Sequence, residues 1–157
     1  MAIKKVREYF KQWDREKDVL EFPVSSATVE LAAKAVGVIP ARIAKTLSFQ
    51  NQEGCILIVT AGDARIDNRK FKDTFHMKAR MLSPEDVLTY TGHEIGGVCP
   101  FAIENLNVTV YCDISMKRFQ TIFPACGSDN SAIKLTCDEL YDYGKAVGWI
   151  DVCKDWE

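Results

Sequence analysis

Three segments of this 157-residue chain carry residue types that ordinary packing explains poorly. The first is Ile43-Ala44-Lys45-Thr46-Leu47, a lysine at the head of an apolar stretch. Such an ammonium either snorkels to water or sits partly enclosed as a compact point charge for a phosphate oxygen. The second is Gly92-His93-Glu94-Ile95-Gly96-Gly97-Val98-Cys99-Pro100-Phe101. Paired glycines let the backbone come close to a ligand, and their N–H groups form a nest for a carbonyl oxygen or an anion. Pro100 stiffens the exit from that loop. The third is Ala125-Cys126-Gly127-Ser128-Asp129-Asn130-Ser131, a small polar turn that any hairpin can use.

Absent motifs narrow the chemistry. There is no G-x-G-x-x-G, Walker loop, H-E-x-x-H or G-x-S-x-G, so dinucleotide, NTP, zincin and serine-hydrolase readings fall away. His93 and Cys99, six apart around glycines, are two ligand types without a third or fourth, and His76 beside Phe75 and Met77 reads as structural. No metal and no cofactor is expected. The six cysteines lack a C-x-x-C pair, and the start Met1–Arg7 has no apolar leader region, so they read as free thiols of a reducing cytosol. No run of 18 apolar residues suggests a membrane span.

The net charge of −2 argues against a surface that is basic throughout. Between Arg65 and Arg80, however, Arg65, Arg69, Lys70, Lys72, Lys78 and Arg80 face only Asp67 and Asp73, a local excess of four positive charges. That patch is either a phosphate-facing surface or a solvated helix face.

The elements that must position these segments follow from periodicity and caps. Ile3, Val6, Phe10 and Trp13 mark an amphipathic helix over about Ala2–Glu16. Val19–Phe22 is a short extended piece before Pro23. Ser25, Ser26 and Thr28 offer caps for a helix through Val36, stopped by Gly37. Lys45–Phe49 and Cys55–Thr60 predict a hairpin around Asn51–Gly54, with the all-apolar Cys55–Val59 as a central strand. Asp67 caps a helix to about His76, Lys78–Leu82 reads as a strand, and Ser83-Pro84-Glu85-Asp86 opens a helix closed by Gly92. Leu106–Cys112, Gln120–Pro124 and Ala132–Leu135 read as strands, and Thr136-Cys137-Asp138-Glu139 is a capping box. The tail Ala146–Glu157 is a last strand or a packed arm. With 47% apolar residues and no linker, the chain is expected to form one domain over 1–157 with a mixed sheet and interspersed helices.

Taken together, the lysine, the Gly-Gly-x-x-Pro loop and the Gly-Ser-x-Asn turn resemble the YbaK/proline-tRNA-synthetase-associated editing domain family. The matching stretches are Ser26–Ala33, Arg42–Leu47, Thr60–Asp63, Gly96–Phe101 and Gly127–Ile133, in order from about Phe22 to Tyr143. The resemblance implies an α/β (α+β) fold, a curved, mixed, barrel-like sheet surrounded by helices. It implies a trans-acting deacylase that cleaves the ester of a mischarged tRNA, tRNA(Pro) carrying cysteine, alanine or another small amino acid. In that reading Lys45 holds a phosphate of the acceptor end. Backbone N–H groups of Gly96, Gly97 and Val98, ahead of Pro100, cradle the aminoacyl carbonyl. Thr46, Cys99, Phe101, Gly127, Ser128 and Asn130 are the implied substrate-binding positions, with Thr46 and Ser128 the hydroxyls placed to orient water. Arg65, Arg69, Lys70 and Lys72 are the implied tRNA contacts, and the implied partners are tRNA and a prolyl-tRNA synthetase acting alongside. The turn departs from members that carry a histidine there, which leaves the edited amino acid open. The competing reading is a non-catalytic module of the same fold that binds aminoacyl-tRNA, nucleotides or a protein.

Overall fold

The computed structural model describes residues 2–156; Met1 and Glu157, the outer ends of the expected leader-free start and of the tail, lie outside them. Helix α1 covers Ala2–Phe10 and tightens into a 3-10 turn over Lys11–Trp13, which Asp14 ends with φ 56°. The expected helix is therefore shorter, because the left-handed Asp14 breaks it before Glu16. Strand β1 (Leu20–Glu21) leads to α2 (Val29–Val36), capped by the Thr28 hydroxyl and closed by Gly37 at φ 83°. Strands β2 (Ile43–Asn51) and β3 (Gly54–Ala61) form the predicted hairpin, closed at Asn51 and Gly54. All of β3 is buried, as its unbroken apolar run requires.

The chain continues through β4 (Arg65–Ile66), α3 (Asn68–Phe75) and α4 (Pro84–Thr91) to β5 (Val108–Asp113). It then makes β6 (Thr121–Pro124), β7 (Ser131–Ala132), β8 (Leu135–Thr136), α5 (Cys137–Tyr143), β9 (Trp149–Ile150) and β10 (Cys153–Lys154). Six strands form one curled, half-barrel sheet in the order β8-β6-β2-β3-β5-β9. The β2–β3 and β6–β8 pairs run antiparallel, whereas β2–β6, β3–β5 and β5–β9 run parallel. Two further two-stranded ladders, β1–β7 and β10–β4, tie the tail and the 125–131 turn to the body.

Two expectations are corrected. Lys78–Leu82 is no full strand: Gln50 N donates to Arg80 O, Leu82 N donates to Ser48 O, and the pairing is a single bridge at Phe49 and Met81. Ala132–Leu135 splits into β7 and β8, each bound to a different partner, because Ile133 turns inward and is fully buried between them.

Candidate active site

Strand β2 carries Lys45 and Thr46 into a cleft of about 220 Å³. Its walls come from the approach to α2 (Ser26, Ala27, Thr28), from Gly96 and Val98, and from Phe123, Ser131 and Ala132. Among the described residues that line it, Lys45 is the one charged side chain, and most of the remainder are apolar. The volume is below the roughly 300–1,000 Å³ of sites for drug-sized ligands. It suits a small acyl group rather than a whole nucleotide.

Lys45 sits opposite Thr60 in the hairpin. Its Nζ donates to Ala64 O at 2.5 Å and more loosely to Gly62 O at 3.4 Å. An ammonium has three N–H donors, so one is left for a ligand. Burial pulls its pKa below the ordinary 10.5; Cys153 and Asp63 oppose that shift, Arg65 adds to it, and Glu30 opposes it weakly. Thr46 Oγ1 is buried without a hydrogen-bond partner among the described residues. A buried hydroxyl left unpaired costs free energy and marks a place where a ligand or water can bind.

The glycine loop is built by close packing. Gly96 has φ 97°, a conformation that side chains disfavour. A Cβ on Gly97 would lie 2.7 Å from Ser128 N and 2.9 Å from Gly127 C. Gly97 O accepts from Gly127 N at 3.1 Å, and Gly97 N donates to Glu94 O at 3.0 Å. The N–H groups of Gly96 and Val98 have no protein acceptor among the described residues. Pro100 is buried and packs near Gly144.

Several implied substrate positions do not reach the cleft. Cys99 and Phe101 are fully buried in the core. The Phe101 ring packs 4.8 Å from that of Phe10, and burial pushes the Cys99 thiol up to about 12. Gly97, Gly127 and Ser128 line a second groove, with Ile95 common to the two. The Ser128 hydroxyl is held inside its own turn, 2.8 Å from Asn130 Oδ1 and 2.7 Å from Ser131 Oγ. Asn130 Nδ2 donates to Phe22 O at 3.1 Å, so that side chain braces the turn. Of the two residues, Thr46 is among those that line the cleft, its hydroxyl enclosed, and Ser128 is not.

His93 Nε2 lies 2.8 Å from Phe101 O and 3.4 Å from Cys99 Sγ, and burial lowers its pKa. That geometry supports the loop from behind. Among the described residues no group of three or more His, Cys, Asp or Glu side chains is arranged to hold a metal ion.

The basic segment divides. Lys70 is bound to Asp151 at 3.0 Å and to Cys153 O at 2.9 Å, so it braces the tail. Arg69 and Lys72 line a groove with Lys78, and Arg65 is exposed on β4. Ser26, Ala27, Thr28, Ser131 and Ala132 line the cleft although the residue types alone did not single them out as site positions. Apart from Ser131, which ends the third segment, their only sequence signal was their place inside the matching stretches.

Residues 24–143 match the profile of the aminoacyl-tRNA editing domain family. The chain is 61% identical over its full length to the full length of YwhH of Bacillus subtilis (strain 168), described as an uncharacterized protein. It is 28% identical over 116 residues to a proline–tRNA ligase of Thermotoga maritima, covering 71% of this chain but only 20% of that ligase. The crystal structure of a proposed trans-editing enzyme for prolyl tRNA synthetase superposes with a TM-score of 0.87 at 27% identity, covering 98% of this chain and 97% of the other. No described helix is long and apolar enough to cross a membrane.

Proposed function

This chain belongs to the aminoacyl-tRNA editing domain family, and from that premise we propose that it is a trans-acting deacylase that hydrolyses the ester of a mischarged tRNA. The substrate is tRNA(Pro) carrying a small amino acid such as cysteine or alanine, and the protein works alongside a prolyl-tRNA synthetase. One observation carries the reading. The small, mostly apolar cleft is lined by Lys45 with its partly enclosed ammonium, by Thr46 with its unpaired buried hydroxyl, and by Gly96 and Val98, whose backbone N–H groups have no protein acceptor among the described residues.

The third N–H of Lys45 takes a phosphate oxygen near the 3′ end and fixes the ester in the cleft. Water attacks the ester carbonyl carbon, and the N–H groups of Gly96 and Val98 stabilise the oxyanion that forms. The bond to the ribose oxygen then breaks and that oxygen takes up a proton, releasing amino acid and free tRNA. An aminoacyl ester is already activated, so positioning and oxyanion stabilisation suffice without a strong protein base. Thr46 Oγ1 is the hydroxyl available to orient the water or a ribose hydroxyl. Gly97 and Pro100 hold the loop, and Cys99, Phe101, Gly127, Ser128 and Asn130 support it from behind. Arg65, Arg69 and Lys72 offer screened, salt-sensitive contacts to the acceptor stem.

The test is a deacylation panel of tRNAs, tRNA(Pro) among them, each charged with one of several small amino acids. Faster release from at least one mischarged tRNA(Pro) than in buffer, with correctly charged prolyl-tRNA spared, is the expected result. No release across the panel with tRNA or synthetase binding intact would favour the non-catalytic module.

A further inference from the structure

We infer that Arg118, acting through Asp63, is a positioning residue for Lys45. Asp63 is the middle residue of Gly62-Asp63-Ala64, whose flanking carbonyls accept the Lys45 ammonium. Its carboxylate is gripped by both ends of the Arg118 guanidinium, at 2.6 Å from Nη2 and 3.0 Å from Nη1. Arg118 is itself fixed: its Nε donates to Ser115 O at 2.9 Å, and its guanidinium lies over the rings of Phe119 at 4.9 Å and Trp156 at 5.0 Å. The pair is partly open to water, but a two-point fork whose arginine is also tied to a carbonyl and two rings transmits geometry in a way that a single-point surface ion pair does not.

The other supports of the same loop leave it little freedom. A Cβ on Gly62 would fall 2.1 Å from Pro40 O, so the loop is pressed against the 3-10 turn that leads into β2. Ala61 N donates to Ser115 Oγ at 3.1 Å, and Ala64 N donates to Ala61 O at 3.1 Å. Ser115 therefore holds both the strand end and, through its carbonyl, the arginine that holds Asp63. Neither Arg118 nor Asp63 lines the cleft. Asp63 thus affects the ligand only by placing the two carbonyls and by the electrostatic pull of its charge on the ammonium. The charged or titratable groups that act electrostatically on Lys45 are Cys153 from β10, Asp63 from this loop, Arg65 from β4 and Glu30 from α2. Removing the Asp63 charge takes away one of those that favour the ammonium form.

This inference rests on the deacylase reading for its kinetic arm and on Lys45 alone for its spectroscopic arm. Arg118→Ala is expected to lower kcat/KM on the mischarged tRNA roughly tenfold to a hundredfold, with most of the change in KM, since a misplaced anchor weakens binding throughout the reaction. Arg118→Lys keeps the charge but not the fork and is expected to fall equally. In the spectroscopic arm, the NMR titration of the Lys45 side chain is followed in wild type and in Asp63→Asn. The titration is expected to move to lower pH in Asp63→Asn while the melting temperature stays close to wild type. Wild-type kinetics for Arg118→Ala, or an unmoved Lys45 titration in Asp63→Asn, would overturn the inference. Should the wild-type protein hydrolyse no tested ester, the Lys45 titration still decides it.

Discussion

Lys45→Ala is expected to lower kcat/KM for the edited aminoacyl-tRNA by roughly 10- to 150-fold, the equivalent of losing about 1.5–3 kcal/mol from one hydrogen bond to a charged group. The melting temperature near neutral pH is expected to stay level or rise. Both halves follow from the same geometry. The ammonium is held by two carbonyls with no carboxylate in direct contact, and burial depresses its pKa, so the fold bears the desolvation of a cation. Loss of its bonds to the Gly62 and Ala64 carbonyls offsets part of the relief. A residue kept at a cost to stability and placed in a cleft is the pattern of a functional group.

The sign of the pH dependence separates this from a structural lysine. The folded pKa lies below the ordinary 10.5, so in the window just under 10.5 the unfolded chain holds more protons than the folded one. Wild-type stability therefore gains with rising pH through that window, and Lys45→Ala lacks the gain. Activity runs the other way, because the anchor works as a cation and is lost as pH climbs through its folded pKa. Thermal melts and single-turnover rates across that range measure the two trends. Wild-type activity in Lys45→Ala, or a steep fall in its melting temperature, would refute the assignment.

Gly97→Ala is expected to lower kcat about a hundredfold, in the range for loss of an oxyanion-hole donor, while KM changes little. The added Cβ would meet the backbone of Gly127 and Ser128 at under 3 Å, and backbone has no flexible end to move aside. The loop must lift from the turn, which breaks the bond from Gly127 N to Gly97 O and carries the Gly96 and Val98 N–H groups with it. Overpacking of this kind costs about 1–3 kcal/mol of stability. Gly92→Ala is the control: Gly92 has φ 77° but open space around it, so the variant bears strain of about 1–2 kcal/mol with kcat intact. Equal kcat losses in the two variants would mean that loop stability, not donor placement, sets the rate.

Much of the local structure was legible because its signals are local. Thr28 with Gly37, Asp67 with His76, Ser83 with Gly92 and Thr136 with Glu139 each start or stop a helix through side-chain or backbone bonds within a few residues. The hairpin at Asn51–Gly54 is equally local. The parallel pairings of β5 with β3 and of β6 with β2 were not, because parallel neighbours are joined by long crossovers that no dipeptide signals. The expected strand at Lys78–Leu82 shows the limit of pattern: its residues run alongside β2 but pair at one point.

At the site, sequence order picked out segments whose residues come together at one cleft, but not which way each side chain points. Cys99 and Phe101 share a motif with Gly96 and Val98, yet the loop turns them into the core. Ser128 has the chemistry of a water-orienting hydroxyl, but its neighbours Asn130 and Ser131 hold it within the turn. The fork between Arg118 and Asp63 joins residues 55 positions apart, and no spacing rule announces it.

The most direct measurement uses a non-hydrolysable amide analogue of a small-aminoacyl adenosine phosphate and follows the backbone and lysine resonances of the intact protein by NMR. Saturable shifts concentrated at Lys45, Thr46, Gly96 and Val98, and absent in Lys45→Ala, are the predicted result. Shifts confined to the groove of Arg69, Lys72 and Lys78, with the cleft resonances unmoved at saturation, would contradict it.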